Sequence, residues 1–272
     1  MSVRGVRTVA GVEWSKLVAQ LNVRLVLTAC VASPFAFAAA MRVQSGVPAD
    51  TLFGQSVTDS GFAVPLVVLG FGALWVFPVL ASIVGGDVFS AEDRYGTWTT
   101  VLTRSRSRSE VFAGKVVTAL CFASVAVTAL AVSSVAAGVL VIGRQPLIDL
   151  SGVLIPPADA QMRVALAWVS VLPPTLGFVA VAVLVSVATR SSAAGIGLPV
   201  VAGLTMQAYA FVDGPEIVRR LMIASAFGAW HGLLAEPPYY GPLVHGTVVS
   251  GAYLVTCLVV AYRMLRRRDI GR

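Results

Sequence analysis

The sequence predicts an all-α membrane protein of six transmembrane helices. It adds an N-terminal amphipathic interfacial helix, a short cytoplasmic helix between spans two and three, and re-entrant or interfacial helices before the sixth span. Three observations carry this reading. Of the 272 residues, 57% are hydrophobic and 12% charged, against roughly 45–50% and about 25% in soluble domains. A globule of this size could not hide so much apolar surface from water, which excludes soluble enzymes, nucleic-acid-binding modules and disordered chains. Six apolar stretches approach the ~20 residues needed to cross a hydrocarbon core, and the basic residues are segregated to one side of them.

The elements follow in chain order. Over residues 1–22, Ala10, Trp14, Leu17 and Leu21 recur at helical spacing while Arg7, Glu13, Lys16 and Gln20 are polar, as in a helix lying in the interface. A cleaved signal peptide ending at Ala36-Phe37-Ala38 is the rival reading, and the amphipathic helix leading into the first span outweighs it. The spans are expected at 23–42, 62–87, 110–143, 163–189, 192–212 and 243–264, with 17 uncharged residues between Arg24 and Arg42 and 28 between Lys115 and Arg144. Between the last two, residues 214–242 open with Gly214-Pro215-Glu216, a helix start. They stay apolar from Ile217 to Leu234 except at Arg219, Arg220, Ser225 and His231, and stop at Pro237-Pro238-Tyr239-Tyr240-Gly241-Pro242. Of the 20 Lys and Arg, fifteen fall on the side of the two termini and only Arg42, Arg144, Arg163, Arg219 and Arg220 on the other. That bias places both termini in the cytoplasm and the chain in the cytoplasmic (inner) membrane.

Much chemistry is missing. Cys30, Cys121 and Cys257 fall in different spans and form no Cys-x-x-Cys, and two histidines are too few for a structural metal site. Gly114-Lys115 is followed by Val116 and has Ser109 where a phosphate-binding loop needs its first glycine. There is no Gly-x-Ser-x-Gly elbow and no His-Glu-x-x-His helix. The chain therefore carries no enzyme or cofactor site of these kinds. The six uncharged stretches hold no carboxylate for ion coupling, so uphill transport would draw its energy from another chain.

The loop between spans two and three is the informative part. Ser90 with Asp93 reads as a capping box, so a short helix over 90–104 is expected, with Ala91, Tyr95, Trp98 and Leu102 on one face. Ser107 with Glu110 reads as a second box starting the third span, and Gly96 suggests a close approach or a bend. Lys115 is expected to snorkel from the helix end, and Arg104, Arg106 and Arg108 to set orientation.

The order Glu-x3-Gly-Thr (Glu92, Gly96, Thr97), a leucine five residues on (Leu102), Ser-Arg (Ser107, Arg108) and Gly-Lys (Gly114, Lys115) resembles the permease subunits of type 2 ABC exporters. The tail Arg266-Arg267-Arg268-Asp269-Ile270 is similar to their basic-Asp-aliphatic ending, while Ser105 stands where the family usually has proline. The resemblance implies one permease domain over 1–272. It also implies a coupling helix carrying Glu92, Asp93, Tyr95, Gly96, Thr97, Trp98 and Leu102, with Arg190 in a second contact and Ser107, Arg108, Gly114 and Lys115 at span entry. The implied partners are ATP-binding cassette subunits, which would hold ATP and Mg, and a second permease chain, identical or not. The cargo would be apolar or amphipathic. The alternatives are a membrane scaffold or assembly factor coupled to an ATPase, and a stand-alone channel or facilitator.

Overall fold

The structure, a computed structural model, describes residues 2–43, 52–96, 107–209, 212 and 214–267. It is a helical membrane bundle. Helix α1 (Val3–Ala19) turns at Gln20 into α2 (Leu21–Val43), and α3 (Ala63–Phe71) passes through a π turn (Gly72–Val76) into α4 (Phe77–Tyr95). Helix α5 (Arg108–Ala137) ends in a second π turn (Gly138–Ile142), and α6 (Pro157–Ser170) meets α7 (Leu172–Thr189) at a one-residue break. Then follow α8 (Ser192–Ala208), the short α9 (Glu216–Leu221), a 3-10 segment (Ile223–Leu234) and α10 (Gly241–Arg267). A ribbon of β1 (Leu147–Ile148) and β2 (Leu154–Ile155) is the one departure from an all-helical chain among the described residues.

Local chemistry explains several boundaries. Pro78 has no N–H for the i→i−4 ladder, and the chain just ahead of it takes π geometry. Pro173-Pro174 sit in the first turn of α7, where a missing N–H costs nothing, and they mark the break after α6. Arg190 closes α7 in the left-handed region (φ 57°), and Ser191 caps α8 through the Ala194 N–H. Asp149 Oδ1 accepts from Ser151 N and Val153 N, both at 2.8 Å, and so shapes the turn of the β ribbon.

Among the described residues, five helical stretches are long and apolar enough to cross a membrane: Leu21–Val43, Ala63–Tyr95, Arg108–Ile142, Pro157–Thr189 and Gly241–Arg267. The fifth expected span, 192–212, is shorter than its hydropathy suggests. Helix α8 has 17 residues, about 26 Å at 1.5 Å per residue, against a core about 30 Å thick. It runs antiparallel to α4, from Ser192 beside Ser90 to Gln207, whose Nε2 donates to Ala73 O at 3.1 Å. The segment expected to be helical from Ile217 to Leu234 divides at Met222, and its larger part is a 3-10 helix. That part is no surface element. Ile223, Phe227, Trp230 and Leu234 are buried, and Phe227 stacks on Phe77 and Phe178 at 5.8 and 5.7 Å.

Helices α4 and α7 form the centre, with α8 and α10 against α7 and with α5 joining α4 to α1 and α2. Small residues set the closest approaches. Gly85 lies against the backbone of α7 at Val179, and a methyl group on Gly86 would clash with the Gly195 carbonyl of α8. We expect Gly86→Ala to overpack this crossing by about 1–3 kcal/mol and lower the melting temperature in detergent. Gly197→Ala, which meets no heavy atom within 4 Å, should leave it unchanged or slightly higher. Equal melting temperatures for the two variants would contradict the Gly86–Gly195 contact.

Candidate functional site

The end of the bundle that holds the start of α1, the end of α4, the start of α5 and the end of α10 concentrates charge. Helix α4 does not stop at the membrane surface and restart at Ser90, as the Ser90–Asp93 pattern suggests. Ser90 is buried inside a continuous helix; its Oγ donates to Gly86 O at 2.7 Å and lies 3.0 Å from Ser192 Oγ. Its N–H also reaches Ser186 Oγ at 3.1 Å. No helix begins there because nothing interrupts the ladder running from Phe77. Gly96 ends it instead, at φ 63°, its N–H directed to the Asp93 and Glu92 carbonyls. No heavy atom of the described residues lies within 4 Å of where a Gly96 side chain would stand, and what this glycine supplies is a left-handed helix cap.

The start of α5 forms as its sequence pattern indicates. Ser107 Oγ accepts from Glu110 N at 3.3 Å and Glu110 Oε2 accepts from Ser107 N at 3.4 Å. Glu110 has a further use: its Oε1 accepts from Ser2 N at 2.9 Å, and its carboxyl lies against Gly5, where any side chain would collide with it. Arg108 Nη1 donates to Arg266 O at 3.0 Å, tying α5 to the end of α10.

About two turns beyond Arg108 on α5 is the centre of the site. Lys115 does not snorkel. It is 1% exposed, and its three ammonium hydrogens have three acceptors: Glu13 Oε2 at 2.8 Å, Glu92 Oε1 at 3.0 Å and Val88 O at 3.0 Å. Lys16 completes the group, 2.9 Å from Glu13 Oε1 and 3.4 Å from Glu92 Oε1. Two carboxylates and two ammonium groups thus neutralise one another where α1, α4 and α5 meet, which is the condition for burying charge. Burial works against the Lys16 ammonium, but the hydrogen bonds and charges of Glu13 and Glu92 outweigh it and raise its pKa above the ordinary 10.5. The contribution of Lys16 is therefore full below pH 10.5 and fades only as the pH climbs through the raised value.

This geometry corrects the reading of α1. Glu13, expected on its polar face, is buried, while Trp14 of the expected apolar face stays exposed, as a lipid-facing position would. Ala10, Glu13 and Leu17 share one stripe at i, i+3 and i+7, and that stripe faces α5. Gly114 permits the approach, since a side chain there would meet Val9, and Thr118 Oγ1 donates to Ala10 O at 3.2 Å.

The structure brings together Glu92, Gly114 and Lys115 of the expected set, with Ser107 and Arg108 at the head of the same helix. Arg190 lies at this end too, because Ser186 and Ser192 on either side of its turn bond to Ser90. Arg94 meets Asp87 at 3.3 Å and lies over the Tyr95 ring at 4.9 Å. Asp93 is in the last turn of α4, while Thr97, Trp98 and Leu102 lie outside the described residues. Glu13 and Lys16 were missed as site residues; the signal was a carboxylate on the apolar stripe of α1 and a lysine inside an apolar helix. Beside the cluster opens a cavity of about 1020 Å³ between α1, α2, α4 and α8.

A family model described as ABC-2 family transporter protein matches residues 11–206, which include Glu13, Lys16, Glu92 and Lys115. No curated protein matches the chain.

We expect Lys115→Met to remove the buried ammonium from between Glu13 and Glu92 and to cost on the order of 3–5 kcal/mol. Thermal unfolding in detergent would measure it. The triple variant Glu13→Gln/Glu92→Gln/Lys115→Met should recover most of the loss. A single variant as stable as the parent would contradict the buried cluster.

Proposed function

Because the chain belongs to the ABC-2 family transporter proteins, and so is a multi-pass permease component that works with ATP-binding cassette subunits, we propose that it serves an exporter. In this reading two permease chains form the path for an apolar or amphipathic cargo, and ATP and Mg are held by two separate ATPase subunits. The chain lies in the cytoplasmic membrane with both termini in the cytoplasm. The fifteen-to-five bias of basic residues supports that orientation, as does the joining of α5's start to α10's end through Arg108 and Arg266.

The observation that carries the coupling role is the Lys115–Glu92 ion pair. It ties the last turn of α4, from which residues 97–106 leave, to α5 and, through Glu13, to α1. A push on that loop by an ATPase subunit would be received by three helices together, since none can shift there without separating buried charges. Residues Tyr95, Trp98 and Leu102 would form the apolar contact with the ATPase, and the α7–α8 turn at Arg190 a smaller one. Alternating access then follows if the closing of the ATPase pair on ATP moves this charged end and opens the other.

The double variant Trp98→Ala/Leu102→Ala removes the proposed contact and leaves the ion cluster intact. In mass spectrometry of complexes purified gently from native membranes, the wild-type chain should bring down an ATP-binding subunit. The variant should bring down roughly tenfold less, the loss that 1.4 kcal/mol of contact energy produces. Undiminished capture by a well-expressed variant would remove the coupling assignment.

A further inference from the structure

Helices α2 and α4 flank a common space and hardly touch. Helix α2 packs along α5, through Val23, Cys30 and Ala38 and the bond from Ser133 Oγ to Cys30 O at 2.8 Å, and stands off from α4. Two cavities fill the gap and share Ile83. The one of about 1020 Å³ lies at the charged end, and the other, about 530 Å³, runs deeper past Cys30, Ser33, Trp75 and Val79.

The two differ sharply in chemistry. The wall of the first carries three carboxylates, Glu13, Asp87 and Glu92, and three cations, Lys16, Arg94 and Lys115. The deeper cavity is apolar apart from Ser33, Cys30 and the indole N–H of Trp75, a side chain that is 54% exposed. Twelve residues of helix separate Asp87 from Trp75, about 18 Å at 1.5 Å per residue, close to the roughly 15 Å of one leaflet of a 30 Å hydrocarbon core. A balanced charged mouth above an apolar slot one leaflet deep complements one ligand shape: a zwitterionic head on a hydrocarbon chain.

We infer that the α2–α4 groove binds one zwitterionic phospholipid of the leaflet at the charged end. Its phosphate meets Lys16 and Arg94, and its ammonium faces Asp87. One acyl chain lies along Cys30, Ser33 and Val79. Both cations can accommodate the phosphate, since Lys16 engages two acceptors with its three donors and Arg94 reaches Asp87 through one nitrogen of its fork. A purely anionic head would gain from these cations but would meet Asp87 and Glu13 as well, which the ammonium of a zwitterion offsets. This goes beyond the permease reading and requires only the membrane setting, not the ATPase partner.

The test uses the full chain in phosphatidylethanolamine nanodiscs containing a trace of phosphatidylethanolamine with a diazirine on its acyl chain. After irradiation, label should concentrate on peptides of α2 and α4. Ser33→Trp or Val79→Trp, each filling the slot from an exposed position, should lower that label roughly tenfold. Val132→Trp on α5 should not. Bulk phosphatidylethanolamine should compete with the probe better than bulk phosphatidylglycerol does, so that discs made of the latter give more label. Label spread evenly over α2, α5 and α10 and indifferent to both groove variants would overturn the site in favour of ordinary annular lipid. Equal competition by the two lipids would overturn the head-group assignment. ATPase capture measured on the same preparations keeps a failure here distinct from a failure of the coupling role.

Discussion

A single ammonium group constrains the charged end of this bundle. Lys115 projects from an apolar helix into the junction of α1, α4 and α5, where it is 1% exposed and an unpaired cation would cost far more than the few kcal/mol by which a domain is stable. It must therefore be met by fixed acceptors, and its three come from the side chain of Glu13 on α1, the side chain of Glu92 on α4 and the backbone of α4 at Val88. Several features that look unrelated serve that requirement. Helix α4 must run past the apolar part of its span to bring Glu92 level with Lys115. Gly114 must lack a side chain so that α1 can approach, and Gly5 must do so to admit the Glu110 carboxyl. Such a cluster adds little net stability over a well-packed apolar equivalent. Its strength is in register, because a slide of one helix against another by a single turn would separate the charges.

How much could be read from the sequence depended on which force dominated at each place. Hydropathy and length located the apolar helices, since a membrane imposes the same requirement on any sequence. Two copies of one local pattern then behaved differently. Ser107-x-x-Glu110 caps a helix because Ser107 itself is in extended conformation. Ser90-x-x-Asp93 has the same spacing but is preceded by thirteen residues of unbroken helix, so its serine bonds back to Gly86 instead. The pattern says what a serine can do at a helix start and is silent on whether a start occurs. A related limit applies to Glu13. Sorting residues into polar and apolar faces assumes that charge points to water, and here the stripe containing Ala10 and Leu17 has its acid turned inward to a lysine 102 residues away.

The far end of the bundle shows a different limit. The apolar run from Ile217 to Leu234 has helical composition but takes 3-10 geometry, with side chains at i and i+3 nearly eclipsed. That narrower helix places Phe227 against both Phe77 and Phe178 and Trp230 near Phe53 at 6.1 Å. Packing within the aromatic cluster outweighs intrinsic preference, and no local signal announces it. Helix α8 ends early in the same region, where the Gln207 side chain bonds the Ala73 carbonyl in the π turn. The β ribbon joins this end as well, through the bond from Leu150 N to Leu234 O at 3.0 Å.

The two ends are thus built on opposite principles, which bears on how motion would pass through the chain. The aromatic end is held by contacts that tolerate sliding, each worth about a kcal/mol beyond its buried area. The charged end is held by directional pairs that break abruptly when displaced. A force applied near Gly96 would accordingly move α1, α4 and the start of α5 as one piece, and the adjustment would fall on softer ground: the π turns at 72–76 and 138–142, and the break between α6 and α7. The α2–α4 groove lies between these regimes, with its mouth walled by Lys16 and Glu92 and its floor by the π turn. In the proposed permease, tilting α4 as a rigid member would change the width of that groove. A push on the cytoplasmic loop and the fit of an amphiphile would then be linked by geometry alone, with no relay of side chains between them.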